Sequence, residues 1–175
     1  MYGRILDYPL FHCRGEFFEV LLQLLQGMEL MHVHGIVQGD VATQNIAMGE
    51  SRVVHEGSHF CDTRTLRALR LLFVEKSLLS FPINYYFIDF GLASRNPAGT
   101  ADATTVGYSG SWRKPIPELS ATIPYNPFKT DVCRLGLTLQ EAIEPNPAFE
   151  LFNPLVKSMC NPDPGRRPSP TEALN

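Results

Sequence analysis

Asp40 and Asn45 lie in the run His34-Gly35-Ile36-Val37-Gln38-Gly39-Asp40-Val41-Ala42-Thr43-Gln44-Asn45, with four residues between them. A second acid, Asp89, follows the apolar segment Tyr85 to Ile88 and precedes Phe90-Gly91. Two carboxylates and a carboxamide are hard oxygen donors, the kind that magnesium takes when it binds through one or two carboxylates plus phosphate oxygens. The same residues also suit purely structural work, because Asp and Asn favour turns and helix N-termini. Turn chemistry alone leaves their order and settings unexplained.

The first run resembles the catalytic loop of protein kinases, H-R-D-L-x-x-x-N, at its Asp and Asn, and Asp89-Phe90-Gly91 resembles the metal-binding D-F-G of the same family. Gln38 and Gly39 stand where the family has His and Arg. The resemblance implies ATP and Mg²⁺ as cofactors and a protein hydroxyl as acceptor. In that reading Asp40 accepts or orients the proton of the attacking hydroxyl, and Asn45 gives an oxygen to one magnesium. Asp89, with Phe90 and Gly91, holds the metal and nucleotide phosphates. Phosphoryl transfer asks a protein chiefly to position groups and neutralise charge, which these residue types suit.

Size and composition set the frame. A chain of 175 residues, 44% of them hydrophobic, is sufficient for one packed domain. Its net charge of −3 provides no broad basic footprint, so neither nucleic acid nor an acidic membrane surface is an expected partner. Cys13, Cys61, Cys133 and Cys160 are far apart with no C-x-x-C pair, which argues against a zinc ribbon and a dense disulfide scaffold. The most apolar stretches, 21–31 and 66–79, are interrupted by Gln, Glu, Arg or Lys, and no leader pattern opens the chain. An intracellular, cytoplasmic protein is expected.

The elements that must position the three residues are visible as periodicities. Phe18, Leu21, Leu22, Leu25, Met28 and Met31 recur at helical spacing and predict an amphipathic helix from Glu16 to His34, just before the first run. Ile46-Ala47-Met48 and Tyr85 to Ile88 read as short strands. Between them, 49–84 is an insertion relative to the family. Within it, Leu66, Leu69, Leu72 and Phe73 interleave with Arg64, Arg67 and Arg70, as in a helix with one basic face. Such a face is most simply solvated, or it docks a partner. The Gly-, Ser-, Thr- and Ala-rich stretch 92–115 has the composition of a loop and occupies the place of the activation segment.

Further resemblances continue to the C-terminus. Pro115-Ile116-Pro117-Glu118 is similar to the family's A-P-E, and Asp163-Pro164-Gly165-Arg166-Arg167-Pro168-Ser169 to its late D-P-x-x-R-P-S. The resemblance pairs Glu118 with Arg167, whose planar guanidinium can engage both carboxylate oxygens. Lys129 to Leu139 resembles the start of the large central helix, with Thr130 as N-cap. Its Asp131 would brace the catalytic loop from beneath, or act only through the helix dipole. Phe152, Leu155, Val156 and Met159 predict one more helix.

The expected architecture is therefore α+β: residues 1–175 as a protein-kinase-like C-lobe, mainly helical with short antiparallel strands, the N-lobe being absent. No glycine-rich loop, V-A-I-K-like strand or Glu-bearing helix appears before Glu16. Loss of one preorganised donor costs about 10²–10³ in rate, so loss of a wall of the site would leave the chain weak or inactive alone. That lobe would then come from a fuller gene product or from a partner that supplies it. Gly39 removes the Arg that engages a phosphorylated activation loop, so control by that charge pair is not expected. The short interval from Asp131 to Arg167 implies that the helix helping to hold peptide substrates is reduced. Ala42 and Gln44 place no cation beside Asp40, so the acceptor stays open, with Ser/Thr favoured over Tyr. The alternative reading is a pseudokinase-type protein-binding module without catalysis.

Overall fold

Helix α1, Arg14–Val33, is built on a stripe of Phe17, Val20, Leu21, Leu24, Leu25 and Met28, all buried. In a computed structural model of the chain, residues 2–4, 11, 13–49, 84–107 and 116–175 are described. The stripe is offset from the expected one. Phe18 is 49% exposed, stacking at 6.5 Å on Phe152, and Phe17 takes the core position instead. Phe17 meets Phe149 at a ring-centroid distance of 4.9 Å and Phe11 at 5.4 Å, so aromatic packing decides which phenylalanine turns inward.

The chain leaves α1 through Gly35, whose φ of 70° is the left-handed turn that commonly ends a helix. Strand β2, Ile36–Val37, follows and leads into the Asp40 run. A 3₁₀ turn at Thr43–Asn45 passes directly into β3, Ile46–Gly49. β3 is the middle of a three-stranded antiparallel sheet between β1, Tyr2–Arg4, and β4, Tyr85–Phe87. The register pairs Ile46 with Phe87, which brings the residues after β4 beside those before β3. The inserted basic helix foreseen at 63–79, with Arg67 and Arg70, lies outside the described residues.

The segment expected to be a loop contains more order than its composition announced. After a 3₁₀ turn at Phe90–Leu92, β5, Ser94–Arg95, pairs antiparallel with β2. A single helical turn α2, Gly99–Asp102, precedes β6, Thr105–Gly107, which pairs with β7, Ser120–Tyr125. Backbone pairing to partners far along the chain imposes these strands on a sequence with little apolar alternation of its own.

Helix α3, Pro127–Ile143, is the core's second pillar, burying Val132, Leu135, Leu139 and Ile143 against α1 residues. It begins earlier than the sequence indicated. Asn126 is the N-cap, accepting from Phe128 N–H at 2.9 Å and Lys129 N–H at 3.2 Å, with Pro127 as the first helical residue. Thr130 sits inside the first turn and sends its hydroxyl to Glu118 Oε1 at 3.1 Å. A 3₁₀ segment, Pro147–Phe152, runs into α4, Asn153–Met159, and α5, Pro170–Leu174, closes the described fold against α1. Mixed helix with short antiparallel strands is compatible with a kinase-like fold. Among the described residues, no helix is long and apolar enough to cross a membrane.

Candidate functional site

Two side chains of α3, Asp131 and Arg134, hold the backbone of Gln38 and Gly39. Asp131, in the first turns of α3 and 1% exposed, accepts from Gln38 N–H through Oδ2 at 2.7 Å and from Gly39 N–H through Oδ1 at 3.0 Å. His32, at the end of α1, places Nε2 3.4 Å from the same Oδ2, with its ring edge-on to Phe128. A carboxylate holding two backbone N–H groups and a ring nitrogen is a satisfied buried acid, which the interior otherwise penalises heavily. One turn further along α3, Arg134 donates from Nη1 to the Gly39 carbonyl. Burial pulls the Arg134 guanidinium below its usual range, while the negative charges of Asp131 and Asp40 act in the opposite direction.

Gly39 is required where it stands. Its φ is 81°, and a Cβ there would lie 2.4 Å from the Leu92 carbonyl oxygen. The two loops therefore touch through glycine backbone, which leaves no room for the family's Arg at this position.

Asp40 is partly buried, and Asn45 is buried at its side. Asn45 Nδ2 donates to the Asp40 carbonyl at 2.8 Å and to Asp40 Oδ2 at 3.0 Å. The turn Thr43–Asn45 returns the chain by the few residues needed for this contact. With Nδ2 spent on Asp40, the oxygen is the part of the Asn45 amide left for a hard cation.

Asp89 is exposed and holds φ 56° and ψ 73°, making it the one non-glycine with positive φ among the described residues. Its Oδ1 accepts from Gly91 N–H at 3.3 Å, opening the turn that carries Phe90 and Gly91. A left-handed Asp at the end of a strand marks a site where surrounding contacts over-determine the backbone. Those contacts come from the first loop: the Gln38 amide nitrogen donates to the carbonyls of Ile88 at 3.2 Å and Asp89 at 3.1 Å. Asp40, Asn45 and Asp89 are thus carried on two loops joined by one buried side chain.

The oxygen donors fit magnesium better than a softer metal. Among the described residues, no group of three or more His, Cys, Asp or Glu assembles into an all-protein metal cage. Asn45 and Asp89 would hold the ion jointly with phosphate oxygens, the usual arrangement for magnesium.

Farther out, Glu118 and Arg167 form a two-pronged pair. Nη1 meets Oε1, Nη2 meets Oε2 at 2.8 Å, and Arg167 is 1% exposed. Arg167 also donates to the carbonyls of Asn161 at 2.7 Å and Lys129 at 3.0 Å. Burial alone would raise the Glu118 carboxyl, but hydrogen bonds from Arg167 and Thr130 and the Arg167 charge hold it below the ordinary range. This pair ties the segment before β7 to α3 and the C-terminal turn. Between loop and helix lies a cavity of about 40 Å³ bordered by Ala42, Gln44, Ile116 and Arg134. Gln44 Oε1 is buried there without a hydrogen-bond partner.

No protein-family model matches the sequence. Curated relatives do. Serine/threonine-protein kinase Nek3 of Oryza sativa subsp. japonica is 27% identical over 179 residues, covering 88% of this chain and 25% of that protein. Mitogen-activated protein kinase pmk-2 of Caenorhabditis elegans is 28% identical over 132 residues, covering 74% of this chain and 26% of that protein. The chain is thus distantly similar to part of two protein kinases. It spans about a quarter of the length of these two relatives.

Gln38 and Arg134 escaped sequence reasoning. Gln38 was legible only as a replaced His, although a polar residue directly after the apolar pair Ile36-Val37 and beside an acid is placed to be buried and bonded. Arg134 falls between Val132 and Leu135 on a helix whose apolar pattern promises burial. A cation there must find partners inside the protein, and that demand was the available signal.

Proposed function

We propose that residues 1–175 form a protein-kinase-like C-lobe with an insertion at about 49–84, and that its site serves ATP-dependent phosphoryl transfer to a protein hydroxyl, Ser/Thr before Tyr. The observation that carries this reading is the Asn45 to Asp40 hydrogen bond at 3.0 Å, made on a loop joined through Gln38 to the backbone of Asp89. A turn satisfied for structural reasons alone has no need to place a carboxylate, a carboxamide and a strained second carboxylate on adjoining loops.

Magnesium, when bound, supplies charge neutralisation on the phosphates. Asn45 and Asp89 would hold it. Asp40 takes or orients the acceptor's proton, with Asn45 Nδ2 fixing the carboxylate's direction. Asp131 and Arg134 keep the loop backbone in place from beneath. The distant kinase relatives support this class of chemistry.

Tyr86, Phe90 and Leu92 adjoin Asp89 and are 42%, 51% and 50% exposed. In our reading these exposed apolar side chains lie where a small lobe would cover the nucleotide. The test is transfer of labelled phosphate from magnesium–ATP to Ser- and Thr-containing protein substrates, by the chain with that lobe supplied. Removing a positioned general base costs about 10²–10⁴ in rate, so Asp40→Ala should abolish measurable transfer. Transfer unchanged by that substitution would overturn the assignment.

A further inference from the structure

We infer that Gln38 is a positioning residue that sets Asp40 against Asp89 through one fully satisfied amide, a role no other residue type at this position performs as completely. The inference rests on the reading of Asp40 and Asp89 as site residues and extends it to the side chain that aligns them.

Gln38 is 0% exposed. Its Oε1 accepts from Asp40 N–H at 2.6 Å, and its Nε2 donates both hydrogens, to Ile88 O at 3.2 Å and Asp89 O at 3.1 Å. The partners dictate the amide's orientation. Reversing it would set an NH₂ against an N–H donor and an oxygen against two carbonyl oxygens, losing all three bonds.

The match is specific to chemistry and length. The site asks for one acceptor and two donors on a flat head at the end of a two-carbon arm. A neutral imidazole brings one donor and one acceptor, and so reaches two of the three bonds. A carboxylate keeps the acceptor but turns two attractive contacts into repulsive ones. Methionine fills similar space and bonds to none. Every bond lost leaves a part-buried backbone group to find another partner or go without one, which adds to the loss of the bond itself.

Two independent features show what the amide is holding. Asp89 carries positive φ, a conformation that persists in a non-glycine residue only when neighbours enforce it, and Nε2 grips its carbonyl. Asp40 donates its backbone N–H to the same head group while Asn45 orients its carboxylate. Movement of either loop therefore pulls on the other. Asp131 anchors Gln38's own N–H at 2.7 Å, so the clamp is referenced to α3 rather than floating between loops.

The experiment compares the full chain with Gln38→Met and Gln38→Glu, following backbone amide exchange at Asp40 and over 88–92, with magnesium–ATP affinity measured alongside. In Gln38→Met, exchange at Asp40 and over 88–92 should rise about tenfold or more, while amides of Leu135 and Leu139 in α3 keep their protection. In Gln38→Glu, Asp40 should stay protected and 88–92 should loosen, a split that general destabilisation does not produce. Magnesium–ATP affinity should fall about tenfold in both. Wild-type exchange at Asp40 and over 88–92 in a folded Gln38→Met protein would overturn the inference, even if Gln38→Glu fails to fold. A wild-type chain that binds no magnesium–ATP would count against the proposed function, and the exchange comparison would still decide the role of Gln38.

Discussion

Gly39 is the residue at which the chain departs most sharply from the kinase pattern, and its surroundings explain why the departure is stable. An L residue at φ 81° costs about 1–2 kcal/mol from backbone conformation alone. The Leu92 carbonyl 2.4 Å from a would-be Cβ adds a clash with backbone, which cannot swing away as a side chain can. Gly39→Arg, which restores the family residue, should therefore lower stability by about 2 kcal/mol or more in urea unfolding. Equal or higher stability would show that the loops can separate without penalty. The Glu118–Arg167 pair gives a second residue-level expectation. Removing one partner of a buried pair costs about 3–5 kcal/mol, so Arg167→Met should be among the most destabilising substitutions in the chain. Glu118 has a folded pKa below its unfolded value, so its contribution is fully present above the ordinary Glu pKa of about 4.3 and is lost as pH falls through the lower, folded value. Stability measured from pH 6 downward should decline through that window, and Glu118→Gln should flatten the decline.

At the scale of elements, α1 and α3 carry the site: α1 is buried along one stripe and α3 nearly all round through its first turns, and they send polar residues, His32 from α1 and Asp131 and Arg134 from α3, toward the loop. The contact of α3 with α4 is close. A Cβ on Gly136 would stand 2.7 Å from Cys160 Sγ and 2.9 Å from Met159 Cβ. Gly→Ala within a helix ordinarily stabilises by close to 1 kcal/mol. Here overpacking should reverse the sign, with a loss of about 1–3 kcal/mol on thermal or urea denaturation of Gly136→Ala. Phe17→Ala should cost about 3–5 kcal/mol, because it opens a void among Phe11, Phe149 and Phe152. The long helices and the strands flanking the two loops were legible in the sequence, since apolar periodicity acts locally. The β6–β7 pairing was not, because neither strand alternates buried and exposed residues along its length and its register shifts part-way. The start of α3 was misplaced for a related reason: Asn126 and Thr130 are both competent caps, and only the course of the preceding strand decides between them. Phe17 and Phe18 are adjacent and chemically identical, so which one packs inward depended on Phe149 and Phe152 far along the chain. At the site, the acids and the amide at 40, 45 and 89 could be nominated from their motifs, whereas the clamp by Gln38 and the brace by Arg134 needed the fold.

At the scale of the whole molecule, the hydrophobic core of α1, α3 and the aromatic cluster lies beneath the site, and exposed Tyr86, Phe90 and Leu92 lie at the site itself. The interior thus braces two loops whose outer face is exposed. Whether these loops engage a metal-bound nucleotide, as proposed, is measured most directly by calorimetric titration of the purified chain with ATP, with and without magnesium, alongside Asp89→Asn. Binding should require magnesium and be lost in Asp89→Asn, since replacing the carboxylate with a neutral amide removes the charge that would hold the ion. A folded, monodisperse chain that binds no magnesium–ATP, or that binds it equally well as Asp89→Asn, would contradict the account.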